Sequence, residues 1–379
     1  MPTSSSTEPI STQARDGFVP PPEAVRTVGR VHLGAMREHD RKVVLLHWEG
    51  GRWQDTPDWR LDRQVIRLGL HLQSRVGLAQ GERVVILSPL RREWLLADLS
   101  AAVQGAVAIA VDPDLPEPAL AAALAQIAPR AAFVAGPDEL ERLESVREGI
   151  PGLEEVIAFE GPLAPERAAL LCEVLDLGGT LDTAERAGAF RARAREVSPD
   201  ACALGYVERG ADGSTACRYL SHCEVTARLA HLGARATVRK GDVAYLTGSA
   251  VTPELRLALL AFAGDGSTTT AIGTPGRAAV EISALRPHKI VAPPEVLLAA
   301  ATQVTPRREG KGGARGWLER AAHLVPRSRE RSRRQESLAA LGGRARWIHP
   351  TAVPDSSVRG RLHHAVTIDL VSSDGACWT

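Results

Sequence analysis

The chain has 379 residues, 44% of them hydrophobic, enough for one large or two medium folded units with buried cores. Lys+Arg 46 against Asp+Glu 45 leave a net charge of +1, which excludes a whole-molecule field directed at nucleic acid or an acidic membrane. The five cysteines are odd in number and lack CxxC spacing, so neither a disulfide framework nor a structural zinc site is expected.

Residues 1–21 begin "MPTSSSTEPISTQARDG", without the apolar core of a secretory signal, and are expected to be a disordered leader. Helical spacing is expected over 22–40, followed by two short strands around the Glu-Gly-Gly turn of "VVLLHWEGGRW". Leu61, Val65, Leu68 and Leu72 then recur at helical spacing, with Gly77 placed to end that helix. From Gly81 the period changes. "RVVILS", "AVAIAVD", "AAFVAG" and "LEEVIAFEG" are apolar strands separated by helices such as "REWLLADLSAAVQG" and "PEPALAAALAQIA". Strand alternating with helix over short loops predicts a parallel sheet wrapped by helices.

A polar, Ala/Arg-rich connector is expected over 162–199, after which the alternation restarts. The strands "ACALGYV", "DVAYLTG", "STTTAIG", "HKIVAPP" and "ARWIHP" are interleaved with helices, the first of them starting at Ser221 as N-cap. The predicted fold class is therefore α/β, with a first subdomain over 22–199 and a second over 200–379. Residues 306–335 interleave Arg and Glu with few aromatic residues. They fit either a solvated helical arm or a weak peripheral contact with an anionic surface, and give no basis for nucleic-acid stacking. The longest apolar run, Leu95 to Val111, is broken by Asp98, Gln104 and Gly105 and falls short of the ~20 residues of a spanning helix. A cytoplasmic protein without a transmembrane segment is expected.

One stretch has the outline of a phosphate-gripping loop. "YVERGADGSTACRYLSH" (206–222) places two glycines three apart among small hydroxyl residues, yet holds no lysine and carries Glu208, Arg209 and Asp212. Such loops bind phosphate through backbone N–H groups, hydroxyl donors and a cation. Carboxylates there repel phosphate, and a missing ammonium removes a charge-assisted hydrogen bond of about 1.5–3 kcal/mol. Cys217, His222 and Cys223 lie close by, but no fourth ligand at metal-site spacing accompanies them.

The segment "GERVVILSPLRREWLLADLSAAVQGAVAIAVDPDLPEPALAAALAQIAPRAAFVAG" (81–136), with "EGGRWQDTPDWRL", "RPHKIVAPPEVLLA" and "LAALGGRARWI", resembles the AMP-forming acyl-CoA synthetases of the adenylate-forming superfamily. Their long-chain fatty-acid ligases are the nearest branch. The resemblance spans about 25–375 and implies two parallel-sheet βα subdomains, as in the N-terminal part of those enzymes, with the small C-terminal domain and its catalytic lysine absent.

Anchored on "LSH" (220–222), the family's YTSGTTGxPKG loop falls on 207–217, with Gly210 and Gly213 on two of its glycines and Ala216 on its lysine. The family's LPLAHxxE element falls on "LTGSAVTPE", where Ala250 takes the place of histidine. GYGLTE falls on "DLVSSD" (369–374). The resemblance thus implies nucleotide contacts from Gly210, Gly213, Ser214, Thr215 and Ser373, a metal ligand in Asp374, and no catalytic residue within the chain. ATP with Mg2+, a fatty acid or other acyl ligand, and CoA in an active enzyme are the implied ligands.

The expected function is that of an acyl-CoA-synthetase-like protein impaired as an ATP-dependent ligase. Two alternatives stay open. One is a regulatory pseudoenzyme that binds a lipid or partner and forms homo-oligomers through an exposed seam; the other is one piece of a split ligase.

Overall fold

The computed structural model describes residues 27–38, 43–164, 166–210, 212–264, 268–302, 341–352, 370–371 and 377–378. Helix α1 (Val28–Glu38) precedes a hairpin of β1 (Leu45–Glu49) and β2 (Arg52–Thr56). Its turn is Gly50-Gly51, with φ of 59° and 80°, the left-handed pair that a two-residue hairpin needs. Helix α2 (Asp58–Arg75) buries Leu61, Val65, Leu68 and Leu72 along one stripe.

The expected alternation follows. It runs through β3 (Arg83–Leu87), α3 (Arg92–Gln104), β4 (Val107–Val111), α4 (Glu117–Ile127), β5 (Ala131–Val134), α5 (Pro137–Ser145), β6 (Glu155–Ala158) and β7 (Ala169–Leu170). Every residue of β4 and β5 is buried, because helices cover both faces of this sheet.

The polar stretch 162–199 is largely helical. It forms α6 (Leu171–Leu181) and α7 (Ala184–Glu196), docked on α2 and α3. Helix α6 buries Leu171, Val174 and Leu175 beside Gly178, which lies so close to α2 that an added Cβ would meet the Arg67 carbonyl oxygen at 2.2 Å. On α7, Ala187, Phe190 and Ala194 are the buried positions.

The second run holds β8 (Cys202–Arg209), β9 (Thr215–Ser221), α8 (His222–Ala236), β10 (Asp242–Leu246), α9 (Pro253–Gly264), β11 (Thr268–Ile272) and α10 (Ala278–Leu285). Then come β12 (Lys289–Ala292), α11 (Pro294–Thr302), β13 (Trp347–Pro350), β14 (Leu370–Val371) and β15 (Cys377–Trp378). Ser221 caps α8 as its sequence position predicts, in a capping box with Glu224.

Two mixed, mostly parallel sheets result. The order is β7-β6-β5-β3-β4-β8-β9 in one and β15-β14-β13-β12-β10-β11-β1-β2 in the other. Among the described residues, antiparallel pairs occur at three places: β1/β2, β8/β9 and β14/β15. Both sheets draw strands from both halves of the chain. Residues 45–56 join the sheet of β10–β13, while 202–221 join that of β3–β7. The division expected at 199/200 therefore follows chain order and not sheet membership.

Candidate functional site

The strand order in each sheet reverses at one point, between β3 and β5 and between β10 and β12, and open α/β sheets bind ligands beyond the strand ends there. At the second reversal, Thr247 donates its N–H to the Val291 carbonyl at 3.0 Å and its hydroxyl to the Gly273 carbonyl at 3.0 Å. Ala250 follows, 1% exposed. The nearby strand β8 leads into the glycine-bearing loop. Burial, and after it the charges of Glu208 and Glu254, push the Tyr206 phenol up.

The loop itself is a hairpin turn. Strand β9, absent from the sequence-based expectation, pairs antiparallel with β8 through the register Tyr206↔Arg218, Val207↔Cys217, Glu208↔Ala216 and Arg209↔Thr215. Between the strands the Gly210 N–H donates to the Ser214 carbonyl at 2.8 Å and the Gly213 N–H to the Gly210 carbonyl at 3.0 Å. Asp212 closes the turn by accepting from the Ser214 N–H at 3.0 Å and the Ser214 hydroxyl at 2.6 Å. These two bonds hold its carboxyl below the usual carboxylate range.

Gly213 sits at φ 83°, and at Gly210 a Cβ would come 2.6 Å from Asp212 Oδ1 and 2.7 Å from Ser214 Oγ. Both glycines are thus used by the turn itself, one for its left-handed backbone and one for the close approach of the Asp212–Ser214 clip. On the flank, Arg218 Nε donates to Glu208 Oε2 at 2.7 Å across the hairpin. The signal for this geometry is the Asp-Gly pair between two strand-like runs, a hairpin signature that the loop resemblance overrode.

Gly210, Gly213, Ser214 and Thr215 are thus brought together. Ser373 and Asp374 lie outside the described residues, as does the 306–335 arm. Among the described residues no group of three His, Cys, Asp or Glu is placed to hold a metal ion, and no helix is long and apolar enough to cross a membrane. His222 is fully buried at the start of α8, where its Nδ1 accepts from the Val28 N–H at 3.2 Å. Its role is to anchor α1.

Residues 37–204 match the family model of the AMP-binding enzymes. That match covers 168 of the 379 residues. The AMP-binding match ends at β8, short of the altered turn. No curated protein matches the sequence significantly.

Solved structures share the fold. A long-chain-fatty-acid–CoA ligase from Archaeoglobus fulgidus superposes with a TM-score of 0.67 at 14% identity, covering 96% of this chain and 66% of that one. The A domain of a carboxylic acid reductase from Segniliparus rugosus, in complex with AMP and a co-purified carboxylic acid, gives 0.66 at 12% identity, with coverage of 93% and 62%. Acetoacetyl-CoA synthetase from Streptomyces lividans gives 0.67 at 16% identity, with coverage of 91% and 51%. The chain spans about half to two thirds of the length of these neighbours.

Proposed function

We propose that this chain is an acyl-CoA-synthetase-like protein of the AMP-binding kind that is impaired as an ATP-dependent carboxylate–CoA ligase. One observation carries the reading. The N–H groups of Gly210, Gly213 and Ser214 are consumed within the hairpin turn, and Asp212 adds a carboxylate where a triphosphate would need donors. Freeing those donors means breaking the turn, and the anionic clip opposes an incoming phosphate at every step of approach. The residues present therefore do not suit ATP–Mg, and no chemical step is assigned to it. An acyl chain or carboxylic acid remains the ligand class in keeping with the scaffold.

Thermal unfolding with added ATP–Mg tests the reading, since binding at 100 times Kd would stabilise the fold by about 2.7 kcal/mol. No shift at millimolar ATP–Mg, together with no hydroxamate formed from a fatty acid, ATP and hydroxylamine, is the expected result. A clear nucleotide shift or acyl-hydroxamate turnover would overturn it.

A further inference from the structure

Where β1, β2 and β10 meet α10, five side chains close a ring of contacts. Trp48 and Trp53 face each other across the β1/β2 hairpin, edge to face, with centroids 5.3 Å apart. Trp53 meets Tyr245 of β10, again edge to face, at 6.5 Å. The Tyr245 hydroxyl donates to Glu281 Oε2 at 2.9 Å, and the Thr274 N–H donates to the same oxygen at 2.9 Å. Arg277 completes the circuit, its Cζ 4.9 Å from the Trp48 ring centroid and its Nε 3.8 Å from Glu281 Oε1.

Three buried polar atoms of this ring have no hydrogen-bond partner: Glu281 Oε1, Trp48 Nε1 and Trp53 Nε1. The Glu281 side chain is 0% exposed, and a carboxylate in that setting demands a cation with a donor at hydrogen-bond distance. Arg277 falls short of that. Its 3.8 Å separation lies beyond a hydrogen bond, and its side chain is 50% exposed. The bare Gly273 lets the Tyr245 hydroxyl pack against the backbone beside Glu281, where an added Cβ would lie 2.1 Å from it.

We propose that Trp48, Trp53, Tyr245 and Glu281 form a site for a small organic cation bearing N–H donors, an alkylguanidine or primary alkylamine, with Arg277 as the displaceable occupant of its mouth. Aromatic faces and a carboxylate are the chemistry that recognises such cations. Arg277 already shows the pose of a guanidinium over Trp48. A free ligand, not tethered to the backbone, reaches Glu281 Oε1 and donates to it. The two indole N–H groups are left for an acceptor atom or water carried in with the ligand. The ring shares no residue with the 206–222 hairpin, and the proposal does not rest on the reading of nucleotide binding.

Calorimetric titration of the full chain with butylguanidine, butylamine and the neutral isostere butylurea tests the assignment. Arg277→Ala, a change at a half-exposed position, should bind butylguanidine at least tenfold more tightly than the unsubstituted protein and should not bind butylurea. Adding Glu281→Gln should reverse the gain by at least tenfold, and Trp48→Leu in the Arg277→Ala background provides the same reading should the Glu281 variant fail to fold. A folded Arg277→Ala protein that binds neither cation, or that binds butylurea equally well, would overturn the proposal. Binding confined to arginine-bearing peptides would overturn it as a small-ligand site.

Discussion

Arg256 of α9 grips Asp98 of α3 with two nitrogens in the interior of the protein, where their side chains are 1% and 3% exposed. The guanidinium also donates to the carbonyls of Gly205 at 2.9 Å and Ala108 at 3.1 Å, and lies 5.0 Å over the Trp94 ring. One side chain thus ties a helix of the second sheet to two strands and a helix of the first. Each of its three nitrogens has an acceptor and its charge is paired, the condition under which a buried ion pair is tolerated.

Removing one partner leaves the other charge buried and unpaired. Asp98→Ala should therefore lower stability by about 3–5 kcal/mol, read as a fall in the urea midpoint without a change in slope. A loss under 1 kcal/mol would show that water reaches the guanidinium.

The His222 imidazole is pushed down to about 4 by burial. The unfolded chain takes up its proton near pH 6.5, whereas the folded protein does so only near pH 4. Stability is therefore full above pH 6.5, falls as the pH drops from 6.5 to 4, and is flat with respect to this group below that. The full span is worth about 3 kcal/mol. His222→Asn should flatten that part of the stability–pH curve in chemical denaturation.

The packing of α6 on α2 leaves no room at Gly178. Gly178→Ala should cost about 1–3 kcal/mol by forcing the two helices apart, measured as a lower Tm, whereas the open Gly188 of α7 should accept alanine without loss.

Restoring the loop chemistry should restore phosphate contact. The triple variant Glu208→Thr, Asp212→Thr, Ala216→Lys removes both acids and supplies the ammonium. The new charge-assisted bond alone is worth about 1.5–3 kcal/mol, roughly 10- to 100-fold in ATP affinity by equilibrium dialysis. An unchanged affinity would assign the defect to the β-hairpin backbone and not to the charges.

Much of the scaffold was legible because its signals are local. The apolar strands β3, β4 and β5 announce themselves by composition, and Ser221 with Glu224 spells a helix start. What escaped was long-range or built from small residues. Nothing within 45–56 says that it will pair with a strand near residue 270, and the close approach of α6 to α2 at Gly178 leaves no mark of its own in the sequence. The turn at 210–214 was hidden differently. Its Asp-Gly signature was present, but only the hydrogen bonds show that the glycines serve the turn. The aromatic ring around Glu281 is scattered over three segments whose meeting is a property of the sheet order alone.

That sheet order also governs how the protein is made. Leu45 of β1 pairs with Thr270, about 225 positions later, so at ~5–20 residues per second the first hairpin leaves the ribosome roughly 10–45 s before its partner strand exists. Throughout that interval a Trp-bearing ribbon with an unsatisfied border is exposed in the nascent polypeptide, a ready substrate for holdase chaperones. Cleaving the gene at residue 199 would make that wait permanent.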